Sequence, residues 1–152
     1  MLDELDITIL QILQSDARIS NAELARRVNL SPPATLVRVR RLDDSGFIDG
    51  YAALVNRRQA GYDMLCFVSV SLQLHDIEQV TGFRDIVGQM PEVLECHHVT
   101  GDYDYLLKIV AHNTKDLENF LLRKLTPILG VARIHTSLVL NEVKSTTVIP
   151  IK

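Results

Sequence analysis

Residues 20–46 read SNAELARRVNLSPPATLVRVRRLDDSG. Positions 24–42 within them hold Arg26, Arg27, Arg38, Arg40 and Arg41 and no Asp or Glu. The chain as a whole is acidic, with a net charge of −3 over 152 residues. Two helix starts are written into the stretch. Ser20 followed by Glu23 fits a capping box, and Ser31-Pro32 places a hydroxyl cap before a proline at the first helical position. The spacing of Leu24, Ala25 and Val28 gives one apolar stripe. A helix over 32–44 follows the turn at Asn29, with Leu36, Val39 and Leu42 expected inward and Gly46 as its C-cap. A further amphipathic helix over 3–15 precedes the pair, from the spacing of Leu5, Ile9, Ile12 and Leu13.

Two helices joined by a four-residue turn have the shape of a helix-turn-helix. With Leu36, Val39 and Leu42 buried, the outer face would carry Thr35, Arg38 and Arg41, with Arg40 on a flank. Free N–H groups in the first turn could bind phosphate. Arginines one turn on could reach guanine edges or phosphates. The competing reading of such a run is a solvated helix face. Double-stranded DNA as partner explains why the arginines look unneutralised.

Outside this stretch the chain sets broad bounds. Residues 1–60 hold eight acids and eight arginines, whereas 61–152 hold 11 acids and eight bases. That asymmetry predicts two units, with the break near RRQAGYD (57–63). No run approaches the ~20 apolar residues of a membrane span, and MLDELDITILQ lacks the basic start of a signal peptide. Cys66 and Cys96 make no C-x-x-C, so a reduced, cytoplasmic setting is expected. Tyr51-Ala-Ala-Leu-Val55 reads as an extended segment leading out of the first unit.

The second unit repeats a rhythm. MLCFVSVSLQL (64–74) alternates as a strand. A helix then carries Val80, Phe83, Val87 and Met90 inward, with Asp76 as its cap and Gln79 three residues on. VLECHHV (93–99) and YLLKIVA (105–111) are strands around the turn TGDYD (100–104). A helix capped by Thr114 carries Leu117, Phe120, Leu121 and Leu125 inward, and VARIHTSLVL (131–140) is the last strand. Strand-helix-strand, turn, strand-helix-strand is the pattern of an α+β, ferredoxin-like βαββαβ sheet. Its helix-free face would show Phe67, Ser69, Ser71 and Gln73 beside Arg133, His135, Ser137 and Val139. A second copy of the sheet could cover that mixed face, giving a symmetric dimer.

The blocks LDELDITILQILQSDARISNAELARRVNLSP, RVRRLDDSGFIDGYAALVN, ECHHVTGDYDYLLKI and SLVLNEVKSTTVIPI resemble the Lrp/AsnC family, the feast/famine transcriptional regulators. The resemblance covers nearly the whole chain in order. It implies an N-terminal helix-turn-helix (winged-helix-like) domain, a C-terminal sheet domain that senses amino acids, and dimers that assemble further, often into an octamer. Domains are therefore expected at 1–50 for DNA binding, 51–63 for a linker strand and hinge, and 64–152 for effector binding and oligomerisation. The family block L-S-P-x-x-x-L-x-R-V-R-R-L is matched by Leu30, Ser31, Pro32, Leu36, Arg38, Val39, Arg40, Arg41 and Leu42. The family often has an acid where this chain has Val37, and Pro33-Ala34-Thr35 is this chain's own combination. Expected DNA contacts are Arg26, Arg27, Ser31, Pro33, Thr35, Arg38, Arg40 and Arg41.

The family's effector loop G-D-x-D corresponds to Gly101, Asp102, Tyr103 and Asp104, preceded by His98, Val99 and Thr100. The resemblance adds Thr136, Ser137 and Leu138 from the last strand of a neighbour. His98 departs from the aliphatic residue common in relatives. Physically, a glycine turn offers N–H groups to an α-carboxylate, and Asp102 or Asp104 could accept from an α-ammonium. The same residues also suit a plain hairpin turn. No cofactor is called for. Cys96 and His98 fall on one strand face and His97 on the other, too few for a zinc set, and no nucleophile sits with a base at supporting spacing. Alternative readings are a constitutive DNA-organising regulator and a small dimeric ferredoxin-like enzyme.

Overall fold

Asp3 starts the first helix, α1 (Glu4–Ser15), and does so with a reciprocal cap. Its carboxylate accepts from the Asp6 N–H at 2.8 Å while the Asp6 carboxylate accepts from the Asp3 N–H at 3.2 Å. Short acids suit this position because they satisfy amide groups that have no partner inside the helix. The computed structural model describes residues 2–73 and 77–152, with Ile77 and Gln79 by backbone only. The expectations placed on Leu74, Asp76 and the Gln79 side chain lie outside the described residues.

The chain divides into one unit of residues 1–54 with 144–152 and another of residues 55–143. In the first unit α2 (Asn21–Arg27) and α3 (Pro32–Asp44) follow α1. Their caps are those read from the sequence: the Ser20 Oγ accepts from the Glu23 N–H, and the Ser31 Oγ from the Ala34 N–H. Asn29 turns the chain with φ 54°, and Gly46 closes α3 with φ 73°. The core is Ile9, Leu10, Leu24, Val28 and Leu42. Burying such aliphatic side chains stabilises the unit by about 1.5–3 kcal/mol each.

Two features of this unit differ from expectation. Residues 50–56 form no strand, and Leu54 and Val55 are exposed. The AALV segment thus finds no ladder partner among the described residues, because the alternation of the sequence does not itself supply a neighbouring edge. The C-terminal tail also groups with the first unit instead of the sheet unit. The Gln14 side-chain amide pairs with the Ile149 backbone in both directions, at 2.6 and 3.0 Å, and Ile151 packs on the helical core.

The second unit is a four-stranded antiparallel sheet, ordered β2-β3-β1-β4. Its strands are β1 (Met64–Leu72), β2 (Val93–His98), β3 (Tyr105–Ala111) and β4 (Val131–Leu138). α4 (Ile77–Gly88) and α5 (Thr114–Asn119) cover one face. Cys66, Val68, Val70 and Leu72 of β1 face Phe83, Val87, Phe120 and Leu125 in a single core. The cap of α5 is Asn113, not Thr114: the Asn113 Oδ1 accepts from the Asp116 N–H at 3.0 Å. α5 then widens into a π-helical stretch, Phe120–Leu125. There the Thr126 N–H reaches back five residues to the Leu121 carbonyl, a geometry that short apolar periodicity does not reveal.

Asp6 joins α1 to α3. Its carboxylate is 1% exposed and accepts from Arg38 at 2.8 Å and Arg41 at 2.5 Å. Asp6→Ala removes the cap partner and leaves one face of two guanidiniums unpaired. A loss of about 2–3 kcal/mol is expected, read as an earlier unfolding midpoint in urea for the full-length chain.

Candidate functional site

The exposed face of α3 is rotated from the one the sequence suggested. Thr35 is fully buried, and its hydroxyl donates to the Ser31 carbonyl at 3.1 Å. Leu36 lies partly exposed instead of inward. Thr35, Val39 and Leu42, with Arg38 half-buried between them, form the inner stripe. A threonine can occupy it because its hydroxyl is satisfied within its own helix. The outward side chains are Pro33, Ala34, Val37, Arg40 and Arg41.

The first turn of α3 is also less open to phosphate than expected. Pro32 and Pro33 occupy its first two positions and have no N–H. The Ala34 N–H is bonded to Ser31, and the Thr35 N–H to the Ser31 carbonyl. The Asn21 amide donates to the Pro32 carbonyl at 2.8 Å, tying the start of α2 to the start of α3. This end of the helix presents hydrocarbon rather than free amide donors.

Nor are the arginines unneutralised. Arg26 chelates Glu23 at 2.7 and 2.8 Å, and Arg27 reaches the same carboxylate at 3.0 Å. Arg38 bonds Asp3 and Asp6, and Arg41 bonds Asp6. The acid-free window hid this, because the partners lie just before it or on another helix. Arg40 is exposed and makes no side-chain hydrogen bond or ion pair among the described residues. Arg41 remains 55% exposed despite its bond, whereas Arg38 is only 25% exposed. The Asp3 and Asp6 pairings were missed, although the spacing Asp-x-x-Asp at a helix start is a legible cap signal.

In the second unit the turn between β2 and β3 is held by Asp104. Its carboxylate accepts from the Leu72 N–H at 2.8 Å, its N–H donates to the Val70 carbonyl, and its carbonyl accepts from the Val99 N–H. Gly101 has φ 118°, a conformation that favours glycine. The Asp102 carbonyl accepts from Arg133 at 2.9 Å and from the Ser71 hydroxyl at 3.3 Å. The Asp102 carboxylate is exposed and makes no side-chain bond among the described residues. The Arg133 guanidinium lies 5.0 Å from the centre of the Tyr103 ring. Arg133 was not assigned to this site from sequence; the pairing of Ser71 with Arg133 puts it there.

Beside the turn is a cavity of about 290 Å3 lined by Leu72, Val80, His98, Asp104 and Tyr105. That is just below the range for ligand clefts, about 300–1,000 Å3. His98 stacks on Tyr105 with ring centres 5.1 Å apart. Thr136, Ser137 and Leu138 pair with Val68, Phe67 and Cys66. Those partners lie roughly 7–20 Å along β1 from Val70, Ser71 and Leu72, which bond the turn. None of the three is hydrogen-bonded to the turn by its side chain among the described residues.

Comparison with known proteins matches residues 65–149 to the Lrp/AsnC ligand binding domain and residues 2–49 to a winged helix-turn-helix DNA-binding domain. The leucine-responsive regulatory protein of Escherichia coli (strain K12) is 41% identical over 151 residues, 99% of this chain and 92% of that protein. The fold is similar to a crystal structure of a transcriptional regulator from Neisseria meningitidis in complex with L-methionine, at TM-score 0.96 and 37% identity over 99% of this chain and 97% of that one. It is also similar to AsnC of E. coli, at TM-score 0.90 and 29% identity over 99% of both chains.

Among the described acids, the Glu23 carboxyl is held well below the usual carboxylate range. Hydrogen bonds from Arg26 and then Arg27 hold its carboxyl at about 2, against an ordinary 4.5. A depressed folded-state value means the pairing is fully present above pH ~4.5 and is lost as pH falls toward 2. A carbon-detected NMR titration of the Glu23 side chain is expected to show it still largely ionised at pH 3. A midpoint near 4.5 would mean the chelate does not persist in solution.

Proposed function

The chain belongs to the Lrp/AsnC family of transcriptional regulators, and on that premise we propose that it binds double-stranded DNA sequence-specifically through α3 and answers to an amino-acid effector at the β2–β3 turn. The observation that carries the reading is the union, in one chain, of two parts. One is a helix-turn-helix with an outward Arg40 and Arg41. The other is a sheet whose Gly101–Asp104 turn borders a cavity of small-ligand size.

On the DNA side, Arg40 and Arg41 lie on the groove face, while Arg26 and Arg27 exchange Glu23 for phosphate. Ser31 and Pro33 sit where α3 meets the groove. Thr35 and Arg38 hold α3 in place and do not touch the bases. On the effector side, Asp102 accepts from the α-ammonium, and the backbone of Val99, Thr100, Gly101 and Tyr103 frames the polar end. Leu72, Val80, His98 and Tyr105 take the side chain. Asp104 shapes the turn. Thr136, Ser137 and Leu138 come from a neighbouring copy. An L-amino acid with an apolar side chain suits this lining, in keeping with the leucine and L-methionine in the names of the relatives.

Assembly follows from the same placement. The helix-free face carries Phe67, Ser69, Arg133, His135 and Ser137, which a second sheet covers in a two-fold dimer. Dimers meet at the effector turns, with four of them closing an octamer in the cytoplasm. The reading has no chemical step: the effector acts only through different affinity for two assembly states.

Two experiments check it. In a thermal-shift panel of the twenty amino acids, one or a few are expected to raise the melting midpoint, because ligand at ~100 times its Kd adds about 2.7 kcal/mol. The rise should disappear in Asp102→Asn. A flat panel contradicts amino-acid sensing and favours a constitutive DNA-organising regulator. Separately, Arg40→Glu is expected to weaken DNA binding about tenfold or more and to lower the slope of log affinity against log salt by about one. Its oligomer size, read by light scattering, should not change.

A further inference from the structure

We propose that Val37 reads thymine: its methyl groups pack against a thymine C5-methyl in the major groove, making α3 select T at the positions it faces. The inference rests on the DNA-binding reading above and specifies what that surface recognises.

Val37 is 65% exposed, whereas Ile9, Leu10, Leu24 and Leu42 of the three helices are buried. Folding therefore gives Val37 little, and a β-branched residue is a poor choice for an exposed helix position. Its neighbours on the outward face are Pro33 and Ala34 one turn earlier and Arg40 and Arg41 one turn later. The outward face of the helix start thus has no side-chain donor or acceptor between Pro33 and Val37. The Thr35 hydroxyl is turned inward to the Ser31 carbonyl, and the Ser31 oxygen is taken by the Ala34 N–H. The patch formed by Pro33, Ala34 and Val37 has no side-chain group with which to hydrogen-bond a base. The major groove offers it one apolar group, the thymine methyl. Val37 lies about 7.5 Å along α3 from Pro32, in the N-terminal part of the helix that meets base edges when such a helix enters the groove. Arg40 and Arg41 beyond it supply the positive charge that holds the helix against phosphates.

The test is a methyl-deletion cycle on the full-length protein. Duplexes enriched by the wild-type chain from a random DNA pool are resynthesised with each thymine replaced singly by 2′-deoxyuridine, which removes only the methyl. Kd is measured by fluorescence anisotropy at fixed salt for wild type, Val37→Ala and Arg40→Ala. At one or two positions per half-site the replacement should weaken wild type about fourfold, the effect of one buried methyl. Val37→Ala should be indifferent at those positions, while Arg40→Ala keeps the sensitivity. Equal losses in wild type and Val37→Ala, or no loss in wild type, would overturn the assignment while leaving DNA binding standing. A wild-type chain that enriches no sequence and binds no duplex would overturn the DNA reading itself, and this inference with it. Alanine is a good helix former at an exposed site, so loss of fold does not cloud the comparison.

Discussion

A single carboxylate, that of Asp6, settles how the helical unit is built and which of its charges are available. It is nearly inaccessible to water, so both its oxygens need donors. It takes them from its own helix start and from Arg38 and Arg41 of α3. A buried carboxylate without those partners would be strongly unfavourable. The pairing consequently fixes the rotation of α3 about its axis. Once Arg38 must point toward α1, Thr35 and Leu42 are carried inward, and Val37 and Arg40 are carried outward. The outer surface of α3 is thus decided by a contact on its opposite side.

The sheet unit uses the same device at its own turn. Asp104 spends its carboxylate on the Leu72 amide and so braces the loop that leads from β2 to β3. That leaves Asp102 with a bare carboxylate at the tip, while Arg133 and Ser71 hold its backbone carbonyl. A turn fixed on one side and open on the other can order a small zwitterion without first having to order itself. In each unit the carboxylate of one aspartate, Asp6 or Asp104, is taken up as a brace inside the fold.

Much of this was legible in the sequence because the signals are local. Ser20, Ser31 and Gly46 mark helix ends through hydrogen bonds within four residues, and α3 runs over the expected 32–44. Alternation along β1 and the stripe Val80, Phe83, Val87 gave the sheet and its helix layer, since burial of one face imposes the period. The failures share a different origin. Which side of α3 is buried depended on Asp3 and Asp6, more than thirty residues away along the chain. The neutralisation of Arg26 and Arg27 depended on Glu23, one residue outside the window that framed the question. The AALV segment reads as a strand but finds no ladder partner among the described residues, and composition cannot supply one. Arg133 reaches the turn only through the register of β4 against β1, which no single strand encodes.

The central claim is that one chain couples DNA binding at α3 to an effector at the β2–β3 turn. Coupling of two binding sites is reciprocal in free energy. The most direct measurement is therefore a pair of titrations on the full-length protein: DNA affinity with and without a saturating L-amino acid, and affinity for that amino acid with and without saturating DNA. The account predicts that the two affinities shift by the same factor, and that Asp102→Asn removes both shifts while leaving DNA binding in place. An amino acid that binds yet leaves DNA affinity unchanged, or a factor that survives Asp102→Asn, would contradict it.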